Sequence, residues 1–247
     1  MNSVLSLIGV ELSPVSYREK LVSTLGGMLA IGLLAWISRH AVDGDGAVFI
    51  VASMGASAVL LFAVPHGQLS QPWPVLAGHG LSATIGVLCA RHLGTGWLAA
   101  GCAVGFSIGV MHQFKCIHPP GGATAMTAVM GGDAVRELGL QFVWWPVLAN
   151  ALVILGFAVV FNWPFAWRRY PSALSKGRRP PKPHPFGREN THEDIVRALR
   201  ELDSFVDVTE ADLMTLARTI AREREARLVK ESREKARGPH TPPSAPH

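Results

Sequence analysis

The chain has 247 residues, of which 49% are hydrophobic and 17% charged, with a mean hydropathy of +0.25. Ordinary soluble domains carry about a quarter charged residues, so this composition excludes a typical soluble fold. A pI near 9.4 invites a nucleic-acid reading, but residues 1–167 hold six Lys/Arg against six Asp/Glu, and the net +5 lies entirely in residues 168–247. No nucleic-acid partner is expected.

Charge is absent over long stretches. No Asp, Glu, Lys or Arg occurs in residues 46–90 or 138–167, and Lys115 is the sole one in residues 92–132. A helix on a soluble surface shows a polar face every turn or so; these stretches show none and belong in a lipid bilayer or among other helices. Residues 1–17 lack a basic start and a compact apolar run, so no cleaved leader is expected. In chain order the expected membrane segments are 21–38, 47–64, 75–92, 96–112, a short 121–130, and 142–162. The expected fold is therefore an all-α polytopic membrane protein of about six segments, some short or interrupted. Arg18 and Lys20 precede the first segment, and Arg168, Arg169 and Lys176 follow the last. Positive charge favours the cytoplasmic side, so both termini are expected in the cytoplasm, in a multi-pass protein of the cell's inner membrane.

An internal repeat divides the segments. Gly55-Ala56-Ser57-Ala58 returns as Gly122-Ala123-Thr124-Ala125, and Trp73-Pro74-Val75-Leu76-Ala77 returns as Trp145-Pro146-Val147-Leu148-Ala149, in the same order. The chain then reads as two three-span halves, 18–93 and 96–163, with inverted topology. Inverted repeats with interrupted helices are a sequence pointer to a transport site at the bilayer midplane.

The run Ile117-His118-Pro119-Pro120-Gly121-Gly122-Ala123-Thr124-Ala125 resembles the signature of the HPP family of integral membrane proteins. Gly55-Ala56-Ser57-Ala58, Gln71-Pro72, Gly78-His79, Pro146 and Asn162 extend the resemblance over about residues 18–171. The resemblance implies a membrane domain over 1–171. Plastid and cyanobacterial members are linked to nitrite transport, so it also implies nitrite as the first cargo to consider.

Two prolines in a row remove two backbone donors and bar the preceding residue from helix. Pro120 suits a first helical turn, and Gly121 and Gly122 let a ligand approach the backbone. A helix start of this kind, set in the membrane, is expected to attract anions through its free amides and dipole. In the first half Ser53 is expected to cap a matching break, with Gly55 and Ser57 beside it. The expected anion path is lined by Ser53, Gly55, Ser57, His79, His118, Gly121, Gly122 and Thr124. A histidine at membrane depth faces a cavity or a partner; for His79 the competing role is a buried imidazole held by a backbone carbonyl. The small-residue tetrads equally suit close helix packing. Lys115 reads as an anion attractor or as a membrane-edge anchor. His112, Cys116 and His118 have a spacing that metal ligands can use, but no fourth ligand accompanies them, and no metal or other cofactor is expected.

Residues 172–190 read as a basic, Pro-rich linker, 191–237 as a soluble helical hairpin with apolar stripes at Ile195, Leu199, Leu202 and at Leu213, Leu216, Ile220, and 238–247 as a disordered tail. The stripes can bury each other or pack across a homo-oligomer. No phosphate loop, nucleophile elbow or carboxylate pair occurs in the spans, so no enzyme is expected. Two functions fit: a transporter or channel for a small inorganic anion, and a membrane scaffold whose tail recruits a partner.

Overall fold

In hydrocarbon every backbone amide must be satisfied inside its own segment, which makes helices of the charge-free stretches. A computed structural model describes residues 15–41 and 46–175. Its helices are α1 (Tyr17–Ala41), α2 (Gly46–Ala63), α3 (Pro72–Leu93), α4 (Trp97–Gln113), α5 (Pro119–Met130), α6 (Asp133–Leu138) and α7 (Ala149–Asn162). Short 3₁₀ turns occupy Gln68–Ser70 and Ser172–Ser175. Among the described residues there is no strand, and the chain is an all-α membrane protein. The helical hairpin and the tail, with the linker beyond Ser175, lie outside the described residues.

Three stretches among the described residues are long and apolar enough to cross a bilayer: Tyr17–Ser38, Pro72–Leu93 and Val143–Asn162. The other three expected segments are helices too, but shorter. The twelve residues of α5 span about 18 Å at ~1.5 Å per residue, well short of a ~30 Å hydrocarbon core.

The ends of these helices follow from sequence. Lys115 takes a left-handed conformation (φ 54°), and Cys116 N–H donates to Met111 O at 2.9 Å, so α4 closes in a Schellman-type turn. Trp73 Nε1–H donates to Phe114 O at 3.1 Å and satisfies another late carbonyl of α4. His118 is extended (φ −142°, ψ 100°), as a residue before proline must be, and Pro119 opens α5. The two Trp-Pro motifs hold corresponding places. Trp73-Pro74 lies in the first turn of α3, and non-helical Trp145 (φ −136°, ψ 114°) breaks the chain before Pro146 leads into α7.

One expectation is overturned. No break occurs at Ser53: α2 runs through Ser53, Gly55 and Ser57 without interruption. The segment has no proline, so each amide keeps its partner four residues back, and a single glycine is a tolerable cost within a helix.

The bundle turns its polarity inward. Trp36, Trp73, Trp97, Trp144, Leu152 and Val160 face outward, while Ser53, Ser57, His79, Ser82, His118, Thr124, Asn150 and Asn162 are buried. Lipid rewards this arrangement, since apolar side chains meet tails and polar ones find partners inside. Three apolar clusters surround the polar interior. One joins α1, α2 and α7 through Leu34, Met54, Phe62 and Ile154. One joins α3 to the 135–147 region through Ala83, Phe142 and Val147. One joins α3, α4 and α5 through Cys89, Ala103, Ala125 and Val129.

Candidate functional site

Helices α2, α3 and α5 meet around four polar side chains. Ser57 Oγ lies 2.8 Å from His79 Nε2 and 2.9 Å from His118 Nε2. His79 Nδ1 lies 2.7 Å from Thr124 Oγ1, and His118 Nδ1 donates to Leu69 O at 2.9 Å. The imidazoles meet edge-on, with centroids 4.9 Å apart. Weaker contacts run from Ser57 Oγ to Ser53 O (3.5 Å) and from Thr124 Oγ1 to Pro120 O (3.3 Å). Ser57, His79, His118 and Thr124 are all essentially inaccessible.

The repeat explains the geometry. Ser57 and Thr124 are equivalent positions of the two tetrads, and they hold the two nitrogens of His79 from opposite sides. His79 itself has no counterpart: six residues after Trp145, where the first half has His79, stands Ala151. Pseudo-symmetric hydroxyls thus flank an asymmetric imidazole.

Of the eight expected residues, the structure brings Ser57, His79, His118 and Thr124 into one cluster, with Ser53 supplying its carbonyl. The three glycines do other things. A Cβ on Gly121 would sit 2.8 Å from Ser82 Oγ and 2.9 Å from Gly78 O, so Gly121 is a contact point between α5 and α3. A Cβ on Gly55 would meet nothing within 4 Å, and one on Gly122 would touch only Val104, at 3.8 Å. Gly121→Ala is therefore expected to cost about 1–3 kcal/mol by overpacking. Gly122→Ala, by its helix propensity, is expected to be neutral or to gain up to about 1 kcal/mol. Thermal unfolding of the two purified variants in one detergent checks the contrast.

The row of bare amides expected at the start of α5 is much reduced. Pro119 and Pro120 have no N–H, and Gly121 N–H donates to His118 O at 2.8 Å. His79 lies about 10 Å along α3, a helix of about 33 Å at ~1.5 Å per residue, so the cluster sits in the first half of the helix, nearer its middle than its end. It is drawn there by the Gln68–Ser70 turn, which carries the Leu69 carbonyl. The metal alternative is not assembled. His112 is exposed, and both nitrogens of His118 are engaged. Lys115 is exposed, which suits an edge anchor.

Sequence reasoning missed two contributors. Gly78 makes room for His118: a Cβ there would lie 2.7 Å from His118 Cβ. The Leu69 carbonyl carries no sequence signal at all, because any residue type has one. The 64–71 turn that presents it is built by Gln71, whose Nε2 donates to Pro65 O (3.1 Å) and Gly67 O (2.8 Å).

A second buried polar group lies where α1 begins and α7 ends. Arg168, 1% exposed, donates from Nη1 to Glu19 Oε1 and to Ser23 Oγ (2.9 Å), from Nε to Asn162 Oδ1 (3.0 Å) and from Nη2 to Phe62 O (2.6 Å). Trp167 Nε1–H donates to Glu19 Oε2 at 2.8 Å. Burial pushes the Arg168 pKa down, and the Glu19 carboxylate pulls it back up. Just beyond, Tyr170 O–H donates to Ser70 O (2.7 Å) and Ser172 N–H to Gln71 Oε1 (3.0 Å), which straps the post-span segment onto the 64–71 turn. Burial raises the Tyr170 phenol pKa.

The pattern of the HPP transmembrane-region family matches residues 12–171. The chain belongs to the HPP family. Two transmembrane proteins of Dictyostelium discoideum are similar to it. One is 36% identical over 154 residues, covering 61% of this chain and 53% of that protein. The other is 34% identical over 169 residues, covering 66% and 54%. The chain thus matches about half the length of these relatives. No solved structure matches it. In this HPP protein the His-Pro-Pro signature has a definite geometry: its histidine joins the cluster, and its prolines force the extended residue and the helix start that aim the imidazole at Ser57.

Proposed function

We propose that this HPP protein moves a small inorganic anion across the membrane, with nitrite the first candidate on family resemblance, and that the Ser57–His79–His118–Thr124 cluster governs the passage. One observation carries this reading: four polar side chains, two of them imidazoles, are fully buried where both repeats converge. Intramembrane ionisable groups are costly and mark substrate or ion pathways. A bundle serving only as an anchor needs helix contacts, which Gly78, Gly86 and Gly121 already supply. Passage requires the cluster to open toward water, since it is closed as described.

Proteoliposomes carrying the protein are expected to take up nitrite faster than empty vesicles of the same lipid. Ser57→Ala removes the shared partner of both histidines. Leaving a buried polar group unpaired costs about 1–3 kcal/mol, so a step that depends on the cluster should slow by roughly five- to hundredfold at ~1.4 kcal/mol per decade. Uptake equal to empty vesicles for nitrite, nitrate and chloride alike would favour the scaffold reading instead.

A further inference from the structure

The cluster's hydrogen bonds can be assigned from donor capacity alone. A carbonyl only accepts, so His118 Nδ1 carries the proton that faces Leu69 O. With one proton per ring, His118 Nε2 is bare and accepts from the Ser57 hydroxyl. That hydroxyl has a single hydrogen, so His79 Nε2–H must donate to Ser57 Oγ. His79 Nδ1 is then bare and accepts from Thr124 O–H. Among the neutral states, this is the one in which all four close contacts are hydrogen bonds. It is polarised in a single direction, from Thr124 to Leu69.

A second pattern fits the same heavy-atom positions with one more proton. Thr124 O–H turns to Pro120 O, 3.3 Å away, which the neutral pattern leaves as a spare acceptor. His79 Nδ1–H then donates to Thr124, Ser57 O–H to His79 Nε2, and His118 Nε2–H to Ser57, while His118 Nδ1–H stays on Leu69 O. The two patterns differ by a shift along the chain. A proton added at the Thr124 oxygen sends that hydroxyl's own proton to His79 Nδ1. The His79 Nε2 proton moves to Ser57, and the Ser57 proton to His118 Nε2. Five protons then occupy five acceptors, and the added positive charge rests on the His118 imidazolium.

Nothing nearby balances that charge. Among the described residues the carboxylates are Glu19, bonded to Arg168; Asp133, paired with Arg136; and Glu137, which is exposed. From the packed elements, α2 brings no titratable group, α5 none besides His118, which precedes it, and α7 none. α3 brings His79 itself, with Cys89, and at its exposed far end Arg91 and His92. α4 brings Cys102 and the exposed His112, and the turn before His118 brings exposed Lys115 and the buried Cys116 thiol. His66, on the 64–71 turn, binds Arg169 O. A buried cation without a counter-charge is strongly disfavoured, so a negative partner must arrive with the proton.

We propose that this cluster is a proton relay that admits one proton together with one monovalent anion and releases the proton by the reverse shift, through the Thr124 oxygen, on the other side, which makes passage an electroneutral one-to-one symport. The proposal rests on the anion-transport reading and adds the coupling ion and its route. Two measurements on the full chain in lipid test it. The first is ¹⁵N magnetic resonance of the histidine rings at neutral pH, which is expected to show His79 protonated on Nε2 and His118 on Nδ1; any other pairing of tautomers overturns the relay. The second uses proteoliposomes with an internal pH dye and empty vesicles as the control for unaided permeation. An inward nitrite gradient is expected to acidify the lumen in step with nitrite uptake, at a rate indifferent to a potassium potential set with valinomycin. Thr124→Val should abolish the acidification, and Thr124→Ser should restore it. Nitrite uptake above the control without acidification, or driven by the potential, overturns the symport while anion transport stands. No uptake of nitrite, nitrate or chloride above the control overturns both.

Discussion

Glu19→Ala is expected to destabilise the protein by about 3–5 kcal/mol, the usual cost of leaving one member of a buried ion pair without the other. Thermal unfolding in nanodiscs should show a midpoint lower by on the order of 10 °C. The reason is the number of groups that depend on the pair. Arg168 holds Ser23 on α1, the Phe62 carbonyl near the end of α2, and Asn162 at the end of α7, while Glu19 also accepts from Trp167. Removing the carboxylate leaves a guanidinium enclosed by neutral acceptors, with its charge uncompensated. The double variant Glu19→Met/Arg168→Met removes both charges and should recover much of the loss, because well-packed apolar residues often replace a buried pair at little cost. A loss under about 1 kcal/mol for Glu19→Ala would mean that the pair behaves like a solvent-exposed one.

Gly86→Ala is the smallest substitution with a large expected effect. Its Cβ would stand 2.5 Å from Ala125 O, 2.7 Å from Ala128 Cβ and 2.9 Å from Ala125 Cα. Two of these are backbone atoms, which cannot rotate away, so α3 and α5 must separate. The expected cost is roughly 3 kcal/mol, the upper end for overpacking. Ala125 follows Thr124 directly, so the same displacement should stretch the Thr124–His79 hydrogen bond and, on the proposed anion-transport function, lower nitrite uptake in proteoliposomes. Gly101→Ala on α4 is the control, since a Cβ there meets nothing within 4 Å, and it should be neutral or gain up to about 1 kcal/mol. Equal unfolding midpoints for the two variants would show that α3 and α5 are not in the close contact described.

Much of the fold could be read from where charge is missing, because hydrocarbon excludes it so strongly that even a short segment such as α5 stands out. The repeat went further. It named Ser57 and Thr124 as equivalent before any geometry was known, and the structure puts both on one imidazole. It misled at Ser53, where equivalence to a Pro-Pro break suggested a break that a proline-free helix has no reason to make. What stayed hidden depends on long separations. Ser57 reaches His118 across 61 positions, and Glu19 reaches Arg168 across 149. Arg168 looked like one more basic residue at a membrane edge, the same as its neighbour Arg169. Yet Arg169 lies exposed over the Trp163 ring, 5.6 Å from its centroid, whereas Arg168 turns inward. Nothing in the local pattern distinguishes them, because the difference lies in α1.

Of the partners in the four close contacts, the Leu69 oxygen is the one that can only accept, and in the neutral cluster it sets which way the others point. The two residues that follow it are gripped from behind: Ser70 through its carbonyl by Tyr170, and Gln71 through its side chain by Ser172. Two short links thus join the segment after the last span to the turn that presents this carbonyl. The exit of the polypeptide from the membrane domain and the polarity of its interior are tied to the same few atoms.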